Sequence, residues 1–157
     1  DHRDVVGDVE PCGVVAAGRK DGRAFVLADR TVRGLSPLGW AREAARAVRE
    51  FGADAVIAEG NQGGDMVRNV LVQAGCPVEV KMVHASRSKA ARAEPVAALY
   101  EQGRVIHCGA FPQLEEELMA LGGGDAGPSP DRADALVWAV TALMLNGRGA
   151  GPRIRVL

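Results

Sequence analysis

Cysteine is scarce in this chain, and the three present, Cys12, Cys76 and Cys108, are odd in number with no CxxC pair. That excludes a disulfide framework and a cysteine zinc site, and leaves them as small core residues. No apolar run approaches the roughly eighteen residues that cross a bilayer, and no basic-then-apolar segment opens the sequence, so the expected location is the cytoplasm, without membrane contact. No GxxxxGK[ST] occurs, hence no phosphate loop for ATP, and no GxGxxG follows a strand. His2, His84 and His107 have neither metal nor triad spacing. The 20 glycines follow no fixed period, which excludes a solenoid and points to many tight turns.

What is present describes one ordinary domain: 157 residues, 47% hydrophobic and 25% charged, with a formal net charge of −1. The charge is unevenly spread. Lys81 to Arg104 holds five Lys or Arg against two Glu, whereas Gln113 to Asp134 holds six acids and one Arg. A basic tract beside an acidic one suits a site that binds a polyanion and needs cations, and equally suits two solvated patches.

The order of elements predicts a mixed sheet. Val14–Ala17 and Ala24–Ala28 read as a hairpin around Gly18–Gly22, where Asp21-Gly22 supplies positive φ. Ser36-Pro37 opens a helix with apolar residues at Leu38, Ala41, Ala45 and Val48, stopped by Gly52. Ala55–Ala58 is a short continuous apolar run, typical of a strand covered on both faces. A helix from Gly63, a strand at Val78–Val83, a helix between Ser88 and Gln102, a strand at Val105–Cys108 and an acidic helix at Phe111–Leu121 follow. Pro95 places the regular start of the second of these helices near Glu94. Ser129-Pro130 opens a last helix from Asp131 to about Leu145. The boundaries are therefore a domain over residues 1–146 and a Gly/Arg-rich tail over 147–157. Residues 1–12 are polar, so a strand expected ahead of the hairpin is weak or absent.

Two acids interrupt apolar sequence. Asp134 is the only ionisable residue in Ala133–Leu145. An isolated carboxylate on so buried a helix costs several kcal/mol unless a cation or hydrogen bonds hold it. Glu59 sits at the carboxyl end of a buried strand, where open α/β sheets place ligands. Asp131, three residues before Asp134, lies on an adjacent helical face. Plainer explanations exist for each: the helix macrodipole for Asp131, a salt bridge to Arg132 or Arg87 for Asp134, and a loop cap for Glu59. Their conjunction with the Gly60–Gly64 loop and the Ser86–Lys89 segment is what favours magnesium or manganese, which take hard oxygen ligands from separate elements.

The segments CGVVAAG (Cys12–Gly18), FVLADR (Phe25–Arg30), AEGNQGGDMV (Ala58–Val67), SRSKAARAEPVAALYEQGRV (Ser86–Val105) and SPDRADALVWA (Ser129–Ala139) together carry a resemblance. The sequence resembles the nuclease domain of a phage large terminase, the DNA-packaging subunit, over roughly Cys12 to Leu145. The resemblance implies a ribonuclease H-like fold, an α/β mixed sheet flanked by helices. It implies an acid on the first strand, a second at the end of the fourth and one or two on the last helix, as in Holliday-junction resolvases. Glu59 maps onto the second position and Asp131 with Asp134 onto the last. Asp1 aligns with the first, with Asp4 and Asp8 as alternatives, and the strand that should carry it would then lie upstream, making this a fragment or a separated domain.

By the same resemblance the chain is expected to be a metal-dependent endonuclease that cuts concatemeric double-stranded DNA with a two-metal Mg²⁺ or Mn²⁺ site held by Asp1, Glu59, Asp131 and Asp134. Arg87, Lys89 and Arg92 would contact the phosphate backbone. The partners implied are the terminase ATPase domain, the small terminase subunit and the portal. The rivals are a junction-resolvase-like nuclease and a catalytically inactive packaging adaptor that keeps the fold.

Overall fold

The computed structural model describes residues 13–60, 64–122, 131–145 and 153–156. Its first feature follows from two residues: Asp21 and Gly22 take φ of 53° and 73°, the pair of positive angles that a two-residue hairpin turn requires. β1 (Val15–Lys20) and β2 (Arg23–Asp29) are antiparallel around this turn, so the strand runs further than the sequence predicts, to a Lys20–Arg23 pair. A bulge between Ala16 and Ala17 shifts the register.

Helix α1 (Pro37–Phe51) begins as the sequence predicts: the Ser36 hydroxyl accepts from the Gly39 amide at 3.1 Å, and Gly52 closes the helix in the left-handed region. β3 (Ala55–Glu59), α2 (Gly64–Gln73) and β4 (Glu79–Val83) follow, with β3 and β4 parallel. Helix α3 spans Lys89–Glu101, capped by Ser88 accepting from the Ala91 amide. The expected start near Glu94 is thus too late. Pro95 lies within the helix on its exposed side, where the Ala91 carbonyl that loses a partner can be met by water. β5 (Val105–His107), α4 (Pro112–Gly122) and α5 (Asp131–Val140) complete the alternation, and α5 runs on as a π-helical turn over Thr141–Leu145 whose Leu143 carbonyl accepts from Arg19.

Among the described residues the strands form one six-stranded sheet ordered β4-β3-β6-β1-β2-β5. β6 (Arg153–Val156) corrects the expected tail, because it pairs antiparallel with β1 and parallel with β3 and so fills the centre of the sheet. The Arg-Ile-Arg-Val alternation is a period-two strand pattern that the surrounding glycines and charge obscure. Helices α1 and α2 cover one face through Ala41, Ala44, Ala47, Val48 and Leu71. Helices α3, α4 and α5 cover the other through Val96, Leu99, Leu114, Leu136, Val137 and Val140. Alternate residues at the entry to β1 serve the two layers, Val14, just before the strand, and Ala16 one and Val15 the other. The core expectation for cysteine holds only in part: Cys76 packs half-buried beside α1 and α2, Cys108 is exposed in the bend after β5, and Cys12 lies outside the described residues. Among the described residues no helix is long and apolar enough to cross a membrane.

One glycine fixes where α5 begins. A methyl at Gly13 would run into the Asp131 carbonyl and lie 3.0 Å from the Ala135 methyl, so the chain entering β1 touches the first turn of α5 directly. Gly13→Ala should therefore cost about 1–3 kcal/mol, the usual penalty of overpacking. Gly122→Ala, where an added methyl meets nothing, should be near neutral. Urea unfolding of the two variants checks this, and equal stabilities would contradict the close approach.

Candidate functional site

Helix α5 is buried nearly all round: Ala133, Ala135, Leu136, Val137, Ala139 and Val140 are all inaccessible or nearly so, and Asp134 among them is only 6% exposed. A carboxylate in that setting needs positive charge at hand. It comes from α3. Arg92 donates from Nη2 to Asp134 Oδ1 at 2.7 Å, and the same nitrogen stands 4.0 Å from Glu59 Oε1. Glu59 Oε1 and Asp134 Oδ1 therefore lie within 6.7 Å of each other, the two contacts laid end to end. Lys89, one turn earlier on α3, lies 3.6 Å from Asp131 Oδ1 and 4.0 Å from Asp134 Oδ2. Three carboxylates from the end of β3 and the start of α5 thus share two cations from the first turn of α3.

Neighbouring groups hold this arrangement in place. The Arg92 guanidinium lies 4.9 Å from the centre of the Trp138 ring, four residues after Asp134 and so on the same face of α5. Arg92 Nη1 also donates to the Arg87 carbonyl, tying the loop before α3 to the cluster. At the start of α5, Glu117 of α4 accepts from the Arg132 and Ala133 amides at 2.9 and 3.2 Å, which satisfies donors that a helix N-terminus leaves free. Arg132 itself turns away from Asp134 and bridges Asp29 at 3.1 Å and Glu117 at 3.2 Å. On β3, the Gly60 amide donates to the Val83 carbonyl, so the pairing with β4 continues past Glu59 and fixes the strand end.

A second polar group lies on the far part of α3. Tyr100 Oη and His107 Nε2 are 2.7 Å apart, and His107 Nδ1 is 3.0 Å from Glu115 Oε2, which also accepts from the Phe111 amide. The hydrogen bond with His107, reinforced by that amide, holds the Glu115 carboxyl below its ordinary range. Burial pushes the Tyr100 hydroxyl up, so it stays protonated near neutrality. These residues edge an apolar cavity of about 400 Å³ between α3, α4 and α5. Glu101 and Glu115 both line it, and Glu115 belongs to the hydrogen-bonded chain with His107.

Measured against the sequence, the structure brings Glu59, Asp131 and Asp134 together, while Asp1, Asp4 and Asp8 lie outside the described residues. Among the described residues, no three of His, Cys, Asp and Glu gather closely enough to hold a metal ion. Arg87 is exposed and Lys89 partly so, but Arg92 is 10% exposed and points inward. The cation for Asp134 is thus neither Arg132 nor Arg87. Two signals in the sequence bear on it: Arg92 follows Lys89 by three residues, on one helix face, and Trp138 follows Asp134 by four.

A family model described as a terminase RNaseH-like domain matches residues 9–143. No curated protein matches the chain.

Because the Asp134–Arg92 pair is buried on both sides, breaking it leaves an uncompensated charge. Arg92→Met should cost about 3–5 kcal/mol in the presence of EDTA, and adding Asp134→Asn to that variant should recover most of the loss. Denaturant unfolding of the two variants decides. A loss below about 1 kcal/mol for Arg92→Met would mean the carboxylate is stabilised by something else, since that is the level of an exposed pair.

Proposed function

Since the chain belongs to the terminase RNaseH-like domain family, a family of terminase nuclease domains, we propose that it is a metal-dependent endonuclease cutting concatemeric double-stranded DNA during genome packaging. The observation that carries this reading is the sharing of cations by Glu59, at the end of β3, with Asp134 and Asp131, in the first turn of α5.

The donor chemistry fits Mg²⁺ or Mn²⁺. All three side chains offer hard oxygens, they come from two elements, the end of β3 and the first turn of α5, and cationic groups of Lys89 and Arg92 already lie beside them. Glu59 and Asp134 would hold the metal with Asp131 beside them, and because the described residues offer no group of three ligands, Asp1 would be the further acid that the family pattern calls for. When bound, two such ions supply an activated water and charge stabilisation for the leaving 3′ oxygen of a phosphodiester.

The protein's own residues do the rest. The Glu59 side chain is 32% exposed and that of Asp134 8%, so a phosphodiester would approach from the Glu59 side. Lys89 and Arg87 stand at the rim, where they can take backbone phosphates without reading bases. Binding should then weaken steeply with salt. The terminase ATPase domain, small subunit and portal are the proposed partners in packaging.

Supercoiled plasmid incubated with the protein should be nicked or linearised with Mn²⁺ or Mg²⁺ and left intact with EDTA. Glu59→Gln and Asp134→Asn, each removing one charged ligand with little change of shape, should lower the rate by at least about a hundredfold, as losing a group central to the chemistry does. Cutting by both variants at the unaltered rate would remove these acids from the site. Retained DNA binding with no cutting under any metal would favour the packaging adaptor, and a preference for branched over linear duplex would favour the resolvase-like nuclease.

A further inference from the structure

Arg92 is placed where a catalytic cation would be expected, and it is only partly satisfied there. Its Nη2 makes one short bond, to Asp134, and its Nη1 donates to the Arg87 carbonyl, while the approach to Glu59 is a long 4.0 Å. Its Nε is buried and has no hydrogen-bond partner among the described residues. Such a buried unmet donor carries a free-energy cost that a phosphate acceptor would relieve. The residue also sits in the first turn of α3, beside Lys89 and the exposed Arg87, so the same long side chain can reach the rim where phosphates would lie.

Resting on the nuclease reading above, we propose that Arg92 is a resident counter-cation which competes with the divalent metal for Glu59 and Asp134 and yields them when a DNA phosphate draws it out. A guanidinium lying between two carboxylates blocks a metal from bridging them, through its volume and through its charge. A phosphodiester offers that guanidinium a strong, charge-assisted acceptor. Metal loading and DNA binding are then coupled, each tightening the other by the same factor. The free protein carries little metal, and unguided hydrolysis is held down until substrate is seated.

Titration with Mn²⁺, followed by the electron-paramagnetic signal of the free ion, tests this without reading activity. Without DNA, Arg92→Met should bind Mn²⁺ about ten to a hundredfold more tightly than the unaltered protein, the factor for one released hydrogen bond to a charged group. Arg92→Lys should fall between them. A short duplex should tighten Mn²⁺ binding by the unaltered protein and leave Arg92→Met unchanged. Equal or weaker Mn²⁺ binding by Arg92→Met overturns the proposal. Should that variant fold poorly, nuclear magnetic resonance of the Arg92 guanidinium in the unaltered chain, assigned with Arg92→Lys, gives a second reading: its restricted rotation should become free at saturating Mg²⁺. Restriction that persists at saturation overturns the proposal equally. Glu59→Gln and Asp134→Asn separate the two claims. If they weaken Mn²⁺ binding while Arg92→Met does not strengthen it, only the role of Arg92 fails; if they leave Mn²⁺ binding unchanged, the metal-site reading fails with it.

Discussion

A carboxylate carried into the apolar core by a helix must be matched by positive charge, and here the match between Asp134 and Arg92 joins two helices across the site. Helix α5 holds Asp134 inward, because the residues on either side of it, Ala133, Ala135, Leu136 and Val137, are buried in the core. Helix α3 must therefore present a cation at one height, and its Ser88 cap sets that height. The Trp138 ring under the guanidinium and the Arg87 carbonyl beside it limit where Arg92 can sit. The same guanidinium reaches Glu59, so the strand end, α3 and α5 are electrostatically one unit.

The sheet supplies the rigidity. β3 is paired with β4 along its full length, and the Gly60 amide continues that pairing past Glu59. On its other side, among the described residues, β3 pairs with β6 at Ala55 and Val56. The contact of Gly13 with the Asp131 backbone brings the start of α5 against the entry to β1. A carboxylate at the end of one strand and two in the first turn of a helix seated on the same sheet are thereby brought close without a long loop having to order itself.

Much of this is written in local chemistry. The Asp-Gly turn, the Ser36 and Ser88 caps and the unbroken apolar runs of β3 and α5 are short-range signals, and they identify the alternation of elements and the two acids that break it. What escaped depended on long-range packing. Four residues of Arg-Ile-Arg-Val amid glycines carry too weak a pattern to announce a central strand, and its place is decided by the open edges of β1 and β3. Pro95 is tolerated because its side of α3 faces water. The partner of Asp134 was equally hidden: Arg132 is nearer in sequence, but it is claimed by Asp29 and Glu117, and only the packing of α3 on α5 shows that Arg92 is the cation that reaches inward.

On the proposed reading Glu59 and Asp134 hold a cation, with Arg92 filling that role until metal and DNA replace it. Anomalous diffraction from crystals grown with Mn²⁺ and a short DNA duplex tests it most directly. A manganese peak bound by carboxylate oxygens of Glu59 and Asp134 is expected, with the Arg92 guanidinium moved onto a phosphate. A peak elsewhere, or none, with Arg92 still joining the two acids at saturating Mn²⁺, would contradict it.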